Sequence, residues 1–318
     1  MRSLIFIAVV FMSFFSNAQD VHFSQFYHVK SFINPASIGD QSEKYKFILH
    51  SRSQWASVST PFRSNYFSLN IKNLLKGNNF SFDIINDQSG DSFLKTIGFG
   101  CGVSSSIFSH KNNSLLFGLR MFLNERSFNT DNLVLIDPEI FFNYSRVYAD
   151  LSSGLVYNSL ISSTSSLSFS FSIDHINKPN ISFFESEPIQ FNFRKTTSLL
   201  YSYKTMKRLE FIPTILFSQI LSSYELLYGI NSNYNLEFND KSKSEINAGF
   251  FIRNNDAFII LFGVDFNKYS CNISYDINTS SLAVASNGNG AFEISLHYNI
   301  STRKKNSNKN KIVCPSYI

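Results

Sequence analysis

From Phe292 to Ile300 (FEISLHYNI) apolar and polar residues take turns. Phe292, Ile294, Leu296, Tyr298 and Ile300 share one side, and Glu293, Ser295, His297 and Asn299 share the other. A strand points successive side chains to opposite faces, so this stretch has one oily wall and one wet wall. A tilted strand that crosses an outer membrane needs roughly 9–11 residues, about the length of this stretch. The pattern predicts the closing strand of a transmembrane β-barrel, with the polar wall toward a watery lumen and the apolar wall toward lipid. An antiparallel strand of a soluble sandwich shows the same alternation. The remainder of the chain has to decide.

The same rhythm recurs along the sequence. Leu167, Phe169, Phe171 and Ile173 alternate with Ser168, Ser170, Ser172 and Asp174, and Cys271, Ile273, Tyr275 and Ile277 alternate with Asn272, Ser274 and Asp276. Strands are predicted over 45–53, 64–71, 79–86, 96–108, 113–124, 150–159, 165–174, 196–204, 208–217, 224–236, 243–252, 257–267, 269–277 and 290–300. The total is fourteen, an even number, as bacterial single-chain barrels have. Lys76-Gly77-Asn78, His110-Lys111-Asn112, Asn254-Asn255-Asp256 and Asn267-Lys268 have hairpin-turn chemistry. Longer connections fall at 125–149 and 177–195. With both termini on one side, long loops would alternate with short turns at the opposite ends.

Composition sharpens the choice between barrel and sandwich. The 318 residues include 35 Phe and 15 Tyr, and charged residues make up 16%, below the roughly 25% usual for soluble domains. A surface turned to lipid has less room for charge. No apolar run after the first twenty residues approaches the ~18 residues of a membrane helix; the longest, Phe258 to Val264, is strand-sized. The start of the chain is different. Arg2, the apolar run Leu4 to Phe15 and Ser16-Asn17-Ala18 form a secretory signal, with cleavage expected after Ala18. The expected organisation is a signal over 1–18, an N-terminal segment over 19–44, a barrel over 45–300 and a basic tail over 301–318.

Charge adds one asymmetry. The formal net charge is +5; Arg2 leaves with the signal, and the tail carries Arg303, Lys304, Lys305, Lys309 and Lys311, so the body is close to neutral. Nucleic-acid binding would need a basic face on that body, and none is supplied. Cys101 and Cys271 fall on the apolar phase of their strands, where a thiol acts as a small hydrophobe. Cys314 stands apart in the tail as an odd thiol, and no disulfide framework is expected.

Candidate chemistry is sparse. Gly98, Gly100 and Gly102 share one strand face, the lumen-facing one if Phe99, Cys101 and Val103 meet lipid. Glycine there lets another backbone come close, such as a plug formed by residues 19–40; simple strand curvature is the competing explanation. The stretch is not a phosphate loop, since the strand continues where a helix would have to begin. Arg52 and Gln54 are predicted to point into the lumen, with Trp55 on the opposite wall as an interfacial anchor. Asp87, Asp91 and Asp137 fall in loop-like stretches. The histidines, including His22, His28, His50, His175 and His297, are scattered singly without ligand spacing, and no nucleophile signature appears. No cofactor or metal is expected, and no enzyme.

Taken in order, these motifs resemble the PorP/SprF outer-membrane proteins of the type IX secretion and gliding machinery of Bacteroidota. The resemblance starts at Gln19-Asp20 and Phe23 to Tyr27, including Gln25. It runs through Asn34-Pro35-Ala36 and Gly39, Arg52 to Trp55 with Gln54, Asp87 to Gly90, Asp137-Pro138 and Phe169 to Asp174. It continues at Arg253, Tyr275-Asp276 and Phe292-Glu293, and ends at Cys314-Pro315. His22, His28 and a surplus of Ser and Phe over Gly depart from the usual family pattern.

The resemblance implies a non-enzymatic barrel placed in outer-membrane lipid beside type IX translocon components. It further implies a role as partner for a particular secreted surface protein, adhesin-like, held or exported by its C-terminal domain. The motif residues are the candidates for partner contact. A porin-like solute channel is the alternative, and a membrane-embedded hydrolase ranks last.

Overall fold

Alternating sequence becomes alternating wall in the computed structural model, which describes residues 20–56, 60–89, 94–128, 144–184, 186–205, 208–239, 242–280 and 283–301. Fourteen antiparallel strands form it. They are β1 (Tyr45–Gln54), β2 (Phe62–Leu75), β3 (Asn78–Ser89), β4 (Leu94–His110), β5 (Asn113–Phe128), β6 (Tyr144–Leu160) and β7 (Ser165–Asp174), followed by β8 (Arg194–Lys204), β9 (Leu209–Ile220), β10 (Ser223–Asn239), β11 (Ser242–Arg253), β12 (Ala257–Phe266), β13 (Tyr269–Asn278) and β14 (Asn289–Ile300). Each strand pairs with its chain neighbours, and β14 pairs back to β1, from Tyr45 opposite Ile300 to Gln54 opposite Ala291. The ring is closed. No strand presents a free edge, which is the condition for a sheet to sit in hydrocarbon.

The two walls differ as the alternation requires. Leu49, Phe99, Leu119, Met121, Phe262 and Leu296 project outward, while Ser68, Asn70, Asp83, Asn272, Glu293 and Ser295 are buried inside. Strand β1 has ten residues, about 33 Å at roughly 3.3 Å per residue, and a tilt of about 40° turns that into about 25 Å of membrane height. Cys101 and Cys271 are unpaired and face outward. No described helix is long and apolar enough to cross a membrane, and the crossing is made by strands.

The outer ends of the first and last strands, Tyr45 and Ile300 (the strand termini), lie at one end of the barrel together with the β2–β3, β4–β5 and β12–β13 turns. At the β2–β3 turn both Lys76 (φ 47°) and Gly77 (φ 89°) are left-handed, the geometry whose twist matches paired strands. Lys111 and Asn267 carry positive φ at turns of the same end, and Asn255 does so at the other. The strand ends at Phe128 and Tyr144, and those at Asp174 and Arg194, lie at the end away from the strand termini, called the loop end below. In outer-membrane barrels short turns face the periplasm and longer loops face outside.

The expected connection over 125–149 was drawn too long, and that over 177–195 was shifted by two residues from the observed 175–193. Strand β5 runs on to Phe128 and β6 begins at Tyr144, because both keep alternating past the point where their residues turn polar. Asp87, expected in a loop, lies on β3 and accepts a hydrogen bond from Ser64 at 2.5 Å.

Candidate functional site: an occupied lumen with a cavity at the loop end

Residues 20–40 lie inside the barrel. Two short helical pieces shape the segment, α1 (Lys30–Ile33) and a 3-10 turn over Pro35–Gly39. Asn34 joins them: its side-chain oxygen accepts from Ala36 N at 2.9 Å, capping the turn that Pro35 starts. Its amide nitrogen donates to Leu155 O and Phe171 O, both at 3.0 Å, on β6 and β7. Glycines make room for this approach. A Cβ on Gly118 would stand 2.3 Å from Ala36 N, one on Gly154 would stand 2.0 Å from Asn34 Oδ1, and one on Gly102 would stand 2.6 Å from Ile38 Cδ1.

Of the glycines singled out in the sequence, Gly102 alone meets the segment. The room at Gly98 is taken by Asn124 and Ile85, and that at Gly100 by Phe122. Those two accommodate neighbouring strands. Gly39, within the segment, sits against Asn79 and Ser104.

Apolar side chains anchor the segment to different walls. Phe23 and Val29 pack with Ile48, Tyr66, Ile85 and Phe122. Phe26 and Ile33 pack with Leu216, Leu227, Phe251 and Ile259, and Ala36 packs with Leu116 and Val156. Burying each such side chain contributes on the order of 1.5–3 kcal/mol, so the contacts favour a seated segment.

A buried ionic cluster fixes its register. The Glu293 carboxylate accepts from Ser24 N at 2.7 Å and Gln25 N at 2.9 Å, and meets Arg52 at 2.5 Å and His50 Nε2 at 3.2 Å. Asp276 accepts from the Ser24 hydroxyl at 2.7 Å, and lies 3.2 Å from both Arg52 and Arg253. Gln25 donates to Ser274 Oγ and accepts from Ser295 Oγ. Five residues picked out by motif, Gln25, Arg52, Arg253, Asp276 and Glu293, thus meet at one place although they are scattered over the sequence. Gln54 accepts from Arg52 at 3.2 Å.

Other expected members lie elsewhere. Tyr275 projects outward and bonds Asn289 at 2.7 Å. Trp55, expected on the wall opposite Arg52 and Gln54, instead lines the same cavity, edge-on to Phe62. It follows the last residue of β1 and has φ 59°, so strand alternation no longer sets its direction. Asp137, Pro138, Cys314 and Pro315 lie outside the described residues, as do the signal and the tail beyond 301.

A second ion-paired group lies nearer the loop end. His175, left-handed at φ 60° just past β7, stands between Asp20 and Asp150, with both nitrogens 2.9 Å from carboxylate oxygens. Phe191 stacks on the ring with centroids 4.5 Å apart, and Arg194 reaches Asp20 at 3.3 Å. Burial alone would push the imidazole down, but the two carboxylates outweigh it and raise it to about 10. Burial likewise raises Asp20, and His175 and Arg194 outweigh that, holding its carboxyl well below the usual range. A doubly donating imidazolium has no lone pair with which to take a proton. Sequence reading missed this group; its signal was charge on the polar phase at the strand ends, as at Asp174 and Arg194.

The segment divides the lumen. Toward the loop end lies a cavity of about 540 Å³, floored by Asp20 and His22, with Arg120, Arg126, Tyr148 and Trp55 among its walls. Toward the termini lies another of about 620 Å³, lined largely by Asn and Ser with Lys30, Lys111 and Asp265. No residue lines both. Among the described residues no group of His, Cys, Asp and Glu is arranged to hold a metal.

Sequence comparison places this barrel. The family model of the type IX secretion system membrane protein PorP/SprF matches residues 15–298. The chain belongs to the PorP/SprF family. Comparison with curated proteins returns no match. Among solved structures, the Ralstonia pickettii toluene transporter TbuX is similar at TM-score 0.52 and 10% identity, over 86% of this chain and 93% of that one. The Pseudomonas putida toluene transporter TodX is similar at TM-score 0.50 and 11% identity, over 86% and 93%. At such identities the likeness concerns the barrel fold. A closed fourteen-stranded barrel of this family belongs in the outer membrane.

Proposed function

We propose that this PorP/SprF protein works without catalysis, as the outer-membrane partner through which one particular secreted protein is exported or held at the cell surface. The partner of this reading is adhesin-like and engages by its C-terminal domain, next to the type IX translocon. The observation that carries the reading is the seated segment of residues 20–40. It occupies the lumen between the two cavities, and this arrangement favours receiving part of another protein in the loop-end cavity over passing solute. His175, with both nitrogens committed to carboxylates, offers no general base.

Deletion of the gene tests this. The expected result is loss of one secreted protein from the surface while other type IX cargo remains displayed. Normal display of every such protein in the deletion strain would sink the reading. The porin-like alternative makes the opposite physical prediction, steady ion conductance of the purified barrel in planar bilayers.

A further inference from the structure

Arginines inside a barrel are costly unless a carboxylate is near, and this lumen mostly provides one. Arg52 meets Glu293 and Asp276, Arg120 meets Asp174, Arg194 meets Asp20, and Arg253 meets Asp276, Glu225 and Asp256. Arg126 on β5 and Arg146 on β6 are different. They lie directly opposite each other in the register, both on the inward phase of their strands. Directly opposed residues have Cβ atoms about 5 Å apart, and like charges so placed destabilise a sheet. Among the described residues neither has a carboxylate partner. Arg146 Nε is buried without a hydrogen-bond partner, as are Nε of Arg52, Arg120 and Arg253, but the other three have carboxylates at their guanidinium groups. Arg126 lies over the Phe183 ring at 5.8 Å.

We infer that Arg126 and Arg146 form an acceptor site for a carboxylate side chain of a bound polypeptide, entering from the loop end. The inference rests on the partner reading above and gives it a chemistry: an acidic residue flanked by apolar ones. Two arginines at directly opposed positions on the inner wall can together offer a planar carboxylate paired N–H donors. The surroundings supply the apolar part. Tyr144 meets Phe183 and Phe184 at 6.2 and 5.2 Å, and Tyr148 meets Phe191 at 6.1 Å. Arg126 and Tyr148 line the loop-end cavity, and Arg146 stands opposite Arg126 across the β5–β6 pair, so an incoming carboxylate reaches the pair by way of Arg126. A bound carboxylate would neutralise the opposed cations and give Arg146 Nε its missing acceptor.

The test uses the mature barrel in detergent and a fluorescent peptide containing Glu and Phe, with Gln replacing Glu in the control peptide. The Glu peptide is expected to bind more tightly than the Gln peptide. Arg126→Gln and Arg146→Gln should each weaken it by roughly tenfold or more, the scale of a lost charged hydrogen bond. Lys111→Gln, in the cavity near the termini, should leave it unchanged. Equal affinity for the two peptides, or an Arg126→Gln/Arg146→Gln double variant that binds as the parent does, overturns the inference. So does competition in which inorganic phosphate displaces the peptide while the Gln peptide binds equally well. Heat-modifiable migration on gels confirms that each variant is a folded barrel. In cells, a deletion phenotype with normal display by the folded double variant refutes this site alone, whereas a silent deletion refutes the partner reading.

Discussion

Glu293→Ala is the most informative single perturbation of the plug. The side chain is fully buried and receives two backbone N–H groups of the segment, from Ser24 and Gln25, besides Arg52 and His50. Truncation leaves both amides without their acceptor, at about 1–3 kcal/mol each. Arg52 keeps Asp276 and the Ser24 hydroxyl, so its loss is partial. Breaking a buried pair by removing one partner costs about 3–5 kcal/mol, and about 4 kcal/mol is the expected local loss. Hydrogen exchange on the detergent-solubilised barrel reads it directly, because 4.1 kcal/mol corresponds to about a thousandfold in protection. The Ser24 and Gln25 amides should lose about that factor, while amides in the middle of β4 and β5 stay protected. Glu293→Gln, which keeps one carbonyl acceptor, should fall between. If Ser24 and Gln25 exchange within a factor of about ten of the parent, the carboxylate does not hold the segment and the account of the plug is wrong.

Three further outcomes follow from the geometry. A Gly118→Val side chain would collide with the Pro35–Ala36 backbone and should unseat the segment, seen as new conductance in planar bilayers, whereas Gly100→Ala presses on the Phe122 ring and should stay silent. His175 gains its proton affinity in the folded state, to about 10, so its contribution is complete below about pH 6.5 and is lost as pH rises through about 10. Urea titrations should show stability falling by a few kcal/mol across that window, a slope that His175→Gln abolishes. Cys271 faces lipid, and Cys271→Arg should cost about 2–4 kcal/mol in vesicle-folding titrations if it lies near the midplane; no change would place it in water.

Much of the barrel was legible because one wall meets lipid and the other meets the lumen, which writes a period of two into every strand. Ser165–Asp174 and Tyr269–Asn278 could be read almost residue by residue. Motif order also led to Arg52, Asp276 and Glu293, though only the fold shows why they belong together: β1, β13 and β14 are neighbours in the closed ring. The details that escaped depend on backbone angle or on distant contacts. Trp55 turns inward because of one left-handed residue. Gly118 and Gly154 matter because Asn34 to Ala36 come to rest against them, which no local pattern announces. The Asp20–His175–Asp150 group joins residues 155 and 25 positions apart, and isolated histidines in sequence give no hint of such pairing.

The location of Glu293 has a consequence for biogenesis. It sits on the strand synthesised last, yet it grips residues near the beginning of the described chain. Its strand also zips to β1, which supplies Arg52 and His50 to the same cluster. Docking the segment and joining the first strand to the last therefore draw on the same residues. A polypeptide truncated before position 293 lacks both the grip on the segment and most of the β1–β14 pairing.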